Sequence, residues 1–502
     1  MSAVRHRYCF LSWCILLCLG SAVYSAARAP VIWNDRQLDD WATPVAALKV
    51  RPSHYSRSEY YAIAGDNLRT YPVYRPDREP PGYWEALQKK KPEPLVDAAA
   101  IRSTKDWIAA GGRAFRDLDD PLSRTDDPAL IARARDPVTF ANVPGLADGT
   151  VFQPRWVVTD RGLMLSNLAC ATCHRRVNAD RTIDYAGPLA PVPDGFGAIG
   201  ADGAFRLNAV ASQRAFGGES FGATVRRLFE TPWDPDPRLQ ALAALSRQEA
   251  AASFGNRQGV IPRPNGHPWH GARVPDLHVL RYSRYIDATG THRLRGPEDV
   301  ARYAALITGA DPMDFGSHRM LSDEQRRMKT RFADEVLYAI GVYLLSLEPA
   351  RNPNLPPADL VKRGEQVFRR EKCGACHPPP NYTTGELTPA LGYTVPLDHP
   401  NFSDVRDRSV GTDPGLALRT RKGTGFYKIP SLRGVWSRPR LLHDASILTL
   451  EELFDPARLE PDYERKGWSP PGMTTGAVPG LEFLTTLSAE DKQALIAFLR
   501  TL

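Results

Sequence analysis

Apolar residues recur at helical spacing in four stretches of this chain, two in each half. In L-V-K-R-G-E-Q-V-F, Leu360 to Phe368, positions Leu360, Gly364, Val367 and Phe368 share one helical face. Near the C-terminus Ser488 and Asp491 form a capping-box signal, followed by a stripe of Leu495, Phe498, Leu499 and Leu502. The first half repeats the plan. D-W-I-A-A-G-G-R-A-F, Asp106 to Phe115, keeps in Gly111 and Phe115 the spacing of Gly364 and Phe368, and Y-A-I-G-V-Y-L-L-S-L, Tyr338 to Leu347, mirrors A-L-I-A-F-L-R-T-L at the end of the chain. Between these helices V-P-D-L-H-V-L-R-Y-S-R-Y-I-D-A, Val274 to Ala288, mirrors I-P-S-L-R-G-V-W-S-R-P-R-L-L-H-D-A, Ile429 to Ala445, the latter two residues longer. The shared order predicts internal duplication: a mainly α fold of two related units with long loops.

Proline and composition mark the borders. E-P-A-R-N-P-N-L-P-P-A-D, Glu348 to Asp359, holds four prolines that stop one helix and stiffen the approach to the next. This linker, 348–359, separates a first unit at 96–347 from a second at 360–502. Residues 30–95, rich in Pro, Tyr and Trp, read as an ordered N-terminal extension that wraps the first unit, with no chemistry of its own to assign.

The first 29 residues read as a signal peptide for export. Arg5 and Arg7 give a basic start, residues 8 to 23 are apolar, and Ala27-Arg28-Ala29 or Val23-Tyr24-Ser25 offers small residues for cleavage. The alternative is an uncleaved anchor, but the apolar run is short against the ~20 residues of a span. Cys18 has no small residue just before it, which argues against a lipoprotein. The mature chain is therefore expected in the periplasm or secreted, with no stable membrane span. Its formal charge of +7 becomes +4 once Arg5, Arg7 and Arg28 leave, and no basic run suggests nucleic acid.

Cysteine changes the picture most. Three of the seven cysteines lie in the leader, and the other four fall into two C-x-x-C-H motifs, Cys170/Cys173/His174 and Cys373/Cys376/His377. Exported chains ordinarily commit cysteines to disulfides, so this use implies that a cofactor has claimed them. The motif suits c-type haem: two thiols on one turn add to the haem vinyl groups, and the adjacent His binds iron. A zinc site of four thiolates, or thioredoxin-like dithiols, would leave the His after each pair unexplained. Two covalent haems are expected, with His174 and His377 as iron ligands. Whether a structural calcium is also bound is not decided by any motif.

The sixth iron position separates catalysis from electron transfer. No His and no Met occurs between Arg175 and Gly266, which predicts an open first haem. His267, His270, His278, His292, Met313, His318, Met320 and Met328 follow later. For the second haem the candidates are His399, His443 and Met473. His443 has Ile286 as its counterpart in the first half, so it is either a ligand, a polar group at the haem edge, or a capping or core His beside Asp444. Met473, in P-P-G-M-T-T-G, is either a ligand or a solvent-facing loop residue.

I-P-S-L-R-G-V-W-S-R-P-R-L-L-H-D-A-S-I-L-T-L-E-E-L-F closely resembles the segment around a central His-Asp-Gly in bacterial di-haem cytochrome c peroxidases, and the match spans both halves. The long segment before the first motif, the wide spacing between motifs and R-Y-I-D-A-T-G-T-H-R-L-R-G are closer in outline to the rubber-oxygenase-like branch. The resemblance implies two facing cytochrome-c-like domains, an open catalytic N-terminal haem and a C-terminal haem that relays electrons. Three departures matter. Leu481 stands where relatives place the second haem's distal ligand, so Met473 or His443 would have to serve. Ile286 replaces the Trp that many relatives place between the haems, leaving Tyr285, Trp269 or Trp436 as bridges. The distal-glutamate motif, which supplies the acid and base for O–O cleavage, has no counterpart.

Two functions are compatible with these residues. One is a peroxidase-like or oxygenase-like oxidoreductase that activates peroxide or dioxygen at the first haem, with Tyr285 and His292 in the distal pocket. The other is a pure electron-transfer cytochrome serving a periplasmic redox protein. A chain that has lost catalysis with its distal groups is a third possibility, compatible with Leu481.

Overall fold

The computed structural model describes residues 29–140, 145–178, 180–187, 219–246, 248–250, 259–260, 264–327 and 329–502. The leader, apart from Ala29, and Met328 lie outside them. Each of the four stripes forms a helix: Thr104–Asp117, Asp334–Ser346, Ala358–Arg370 and Ala489–Leu499. Ser488 caps the last, accepting from the Asp491 N–H.

In each half the opening and closing helices cross at a glycine. A Cβ on Gly111 would run into the Ala339 carbonyl and lie 2.7 Å from the Cβ of Tyr343. A Cβ on Gly364 would meet the Ala494 carbonyl and the Cβ of Phe498, again at 2.7 Å. Only a residue without a side chain lets the backbones approach so closely, which accounts for glycine on an otherwise apolar face. The closing-helix residues are those the sequence comparison pairs, Ala339 with Ala494 and Tyr343 with Phe498.

The expectation of a mainly α fold needs correcting: the structure is mixed, 36% helix and 15% sheet. An antiparallel meander of Thr70–Tyr74, Thr150–Thr159 and Gly162–Asn167 accounts for much of the strand content. T-V-F-Q-P-R-W-V-V-T is rich in β-branched and aromatic residues, and it turns through Asp160-Arg161 into Gly162. Trp156 and Leu165, paired across this hairpin, are buried with Tyr71 and Leu130.

The sheet solves a connection problem. In the second half the opening helix ends at Arg370, three residues before Cys373. In the first half residues 119–168 intervene, but the strand Gly162–Asn167 brings the chain back. Ala169 N–H donates to the Leu118 carbonyl at 2.8 Å, and Asp120 N–H to the Asn167 carbonyl at 2.8 Å. Arg124 pins the insertion, pairing with Asp119 at 2.7 Å and with Asp66. Cys170 thus sits beside the end of its opening helix, as Cys373 does.

The N-terminal extension is built into the first half's core. Trp33 stacks on Tyr60 at 4.2 Å, and both are buried with Trp107, Phe115 and Val336 of the crossing helices. Among the described residues no helix is long and apolar enough to cross a membrane.

Candidate functional site

Both C-x-x-C-H motifs form a single tight turn. His174 N–H donates to the Cys170 carbonyl at 3.2 Å, and His377 N–H to the Cys373 carbonyl at 2.9 Å. Each turn sets two thiols and one imidazole on a short arc. At the second motif burial pushes the Cys373 thiol up to about 11. Nδ1 of His377 lies 3.0 Å from the Tyr382 carbonyl; a proton donated there leaves Nε2 to ligate a metal. Both donor sets fit a covalently attached haem.

The surroundings of the motifs differ. Cys170, Cys173 and His174 open onto a cavity of about 590 Å³. Its far walls come from three parts of the chain: His54 from the extension, Asp287, His292 and Tyr303 from the first half, and Lys422, Lys428 and Arg438 from the second. Met313 also borders it. The groove beside the second motif is smaller, about 340 Å³, and runs between Phe368, Gly374, Tyr382 and Phe498.

Polar groups on the larger cavity fall into two sets. Asp287 is a hub: it accepts from Tyr303 Oη at 2.6 Å and from Lys422 Nζ at 2.7 Å. Lys428 and Arg273 are less well matched. Among the described residues the Lys428 ammonium has only the Tyr285 carbonyl, at 3.5 Å, and Arg273 donates to the Arg440 carbonyl at 2.6 Å; burial lowers Lys428 to about 8 and Arg273 to about 10. Cations withdrawn from water without a carboxylate in contact are costly, and they suit an anionic occupant such as the propionates of a haem.

His292, expected in the distal pocket, borders the cavity and is buried. It pairs with Ile286 across the hairpin of Tyr285–Ile286 and His292–Arg293. Tyr285, its expected companion, turns elsewhere. Its hydroxyl donates to Asp404 at 2.7 Å, and its ring packs with Leu387 and Phe426. The alternation of a strand explains this, because neighbours such as Tyr285 and Ile286 face opposite sides, and Ile286 is the one on the cavity.

Of the candidates for the second haem's distal side, Met473 is 42% exposed on its loop. His443 lies 3.2 Å from Thr412 Oγ1 and 3.3 Å from Tyr427 Oη, with its ring 4.4 Å from that of Tyr427. Of the residues considered as bridges, Trp269 packs beside His267, and Trp436 donates to the Ala350 carbonyl. His54, Lys428 and the Asp287 hub were not foreseen. Each is an isolated residue in its local sequence, and only packing brings them together.

No family model and no curated protein matches the chain. Solved structures do. A MauG-like protein associated with microbial copper homeostasis is 18% identical, over 58% of this chain and 89% of that one, with a TM-score of 0.30. The di-haem peroxidase BthA from Burkholderia thailandensis is 20% identical, over 56% and 85%, with a TM-score of 0.26. Kuenenia stuttgartiensis hydrazine synthase is 15% identical, over 55% and 85%, with a TM-score of 0.28. The matches cover little more than half of this chain. The two C-x-x-C-H motifs are the features by which the chain resembles the di-haem cytochrome c peroxidases.

Proposed function

We propose that this chain is an exported di-haem c-type redox enzyme, with catalysis at the motif of His174 and electron relay at the motif of His377. The observation that carries the reading is the cavity of about 590 Å³ that Cys170, Cys173 and His174 share with buried imidazole and with the Asp287 hub. A haem bound there supplies iron chemistry toward peroxide or dioxygen, and a second haem at Cys373/Cys376 supplies a store for electrons. The protein's part is to hold and surround them. His174 and His377 ligate iron, Lys428 and Arg273 balance negative charge, and His292 presents a neutral imidazole to the distal space, its basicity held well below the usual range by burial. The matched glycine crossings favour two cytochrome-c-like domains at 96–347 and 360–502, derived by duplication, with the linker 348–359 between them. Residues 1–29 would act as the export signal and leave a periplasmic or secreted chain.

Low-temperature electron paramagnetic resonance of the oxidised protein, with and without stoichiometric hydrogen peroxide, tests this function. A high-spin ferric signal that changes on adding peroxide is expected. Two low-spin signals indifferent to peroxide, both as isolated and half-reduced, would leave an electron carrier instead.

A further inference from the structure

The N-terminal extension delivers a second imidazole to the first haem's cavity. His54 follows the short strand Pro52–Ser53, which pairs with Asp314–Phe315. On its other side the extension is stitched to the hairpin that carries His292. Arg293 N–H donates to the Trp41 carbonyl at 2.8 Å, Trp41 Nε1 donates back to the Arg293 carbonyl at 3.0 Å, and Thr43 N–H donates to the Thr291 carbonyl at 2.8 Å. The His54 and His292 rings lie 5.5 Å apart, with Trp41 against both, at 5.1 and 4.2 Å. Both histidines border the cavity that holds Cys170, Cys173 and His174.

Their hydrogen bonding is incomplete. His292 Nδ1 lies 3.0 Å from Thr291 Oγ1, but its Nε2 and both ring nitrogens of His54 are buried without a hydrogen-bond partner among the described residues. Each such nitrogen costs about 1–3 kcal/mol, and an apolar side chain in the same place would avoid that cost. Two neighbouring imidazoles left in this state on one cavity favour a ligand that completes them.

We propose that His54, supplied by the N-terminal extension, is a proton-accepting residue of the first haem's cavity and works with His292 on small weak acids, HX, that enter there. The H–X bond breaks, its proton passes to an imidazole nitrogen, and X⁻ remains with the electron pair, so no electron changes hands. His54 can accept at either ring nitrogen, whereas His292, with Nδ1 beside Thr291 Oγ1, accepts at Nε2. Burial, with Arg302 as a lesser influence, lowers His54 to about 4, so the ring is neutral at pH 7 and its protonated form is held only while X⁻ stays beside it. This inference rests on the open first haem proposed above.

The test compares two ligands of the holoprotein. Hydrogen cyanide must lose its proton to bind ferric haem, whereas carbon monoxide, binding ferrous haem, has none to lose. In His54→Gln, and in His54→Asn should the first variant fail to fold, the cyanide association rate at pH 7 falls by about a hundredfold, the scale of general acid–base assistance. The carbon monoxide rate stays within about twofold. An unchanged cyanide rate overturns the role of His54 and leaves the open haem standing. Equal losses for both ligands, or a low-spin haem that becomes high-spin in the variant, also overturn it, indicating a collapsed cavity or an iron ligand. A wild-type protein that binds neither ligand overturns the open haem and this inference together.

Discussion

The two C-x-x-C-H turns share a frame and differ in what faces it. In both, the motif lies just beyond an opening helix, and that helix crosses a closing helix at a glycine, Gly111 over Ala339 and Gly364 over Ala494. Beside His377 the chain leaves only a groove of about 340 Å³, with Nδ1 facing the Tyr382 carbonyl. Around His174 it opens, and the cavity is walled by residues from the extension, both halves and the loop after residue 420. One frame can therefore carry either a small groove or a large cavity. The difference comes from segments outside the frame, as expected where function is grafted onto a fold.

Removing the thiols one pair at a time is the most severe test of this contrast. Cys170→Ala with Cys173→Ala should lower the haem content per chain by half, as read by pyridine haemochrome absorbance, and abolish the peroxide-sensitive signal. Cys373→Ala with Cys376→Ala should lose the same amount of haem and keep the cyanide-binding site. If both pairs removed the same spectroscopic species, the division of labour would fail.

Acid should weaken the open side. Burial pushes folded His54 down from the ordinary 6.5 to about 4, so its neutral form adds stability above pH 6.5 that is lost as pH falls toward 4. The loss from this residue is at most about 3 kcal/mol. Melting temperatures measured from pH 7 to 4.5 should fall more steeply for the wild type than for His54→Gln; parallel slopes would show that His54 does not carry this dependence.

The shared frame is probed by alanine at each crossing. Gly111→Ala and Gly364→Ala each force the helices apart and should cost about 1–3 kcal/mol. Thermal denaturation should show similar losses for the two, and a loss at one crossing alone would break the parallel. The smallest effect is expected at Lys428. A cation beside the first haem favours the reduced iron, so Lys428→Met should lower one midpoint potential. A roughly tenfold change in the reduction equilibrium corresponds to ~59 mV, and spectroelectrochemical titration would show whether the other haem moves as much.

The sequence by itself determined what is local. Helical periodicity and the Ser488 cap located the four crossing helices, because helix contacts repeat every three to four residues and leave their mark in the chain. Two C-x-x-C-H motifs located both attachment turns, because thiols and imidazole must share one turn. Whatever depended on distant segments meeting was decided by the tertiary structure alone. The sheet that returns Cys170 to the end of its helix joins Thr70–Tyr74 to Thr150–Thr159 across many intervening positions. The alternation of a two-residue strand turned Tyr285 to Asp404 and left Ile286 on the cavity. His54 is one histidine in an extension rich in aromatics, and nothing in its neighbours marks it. It reaches the cavity of Cys170, Cys173 and His174 only because Trp33, Trp41 and Tyr60 bury the extension in the core and carry His54 with them.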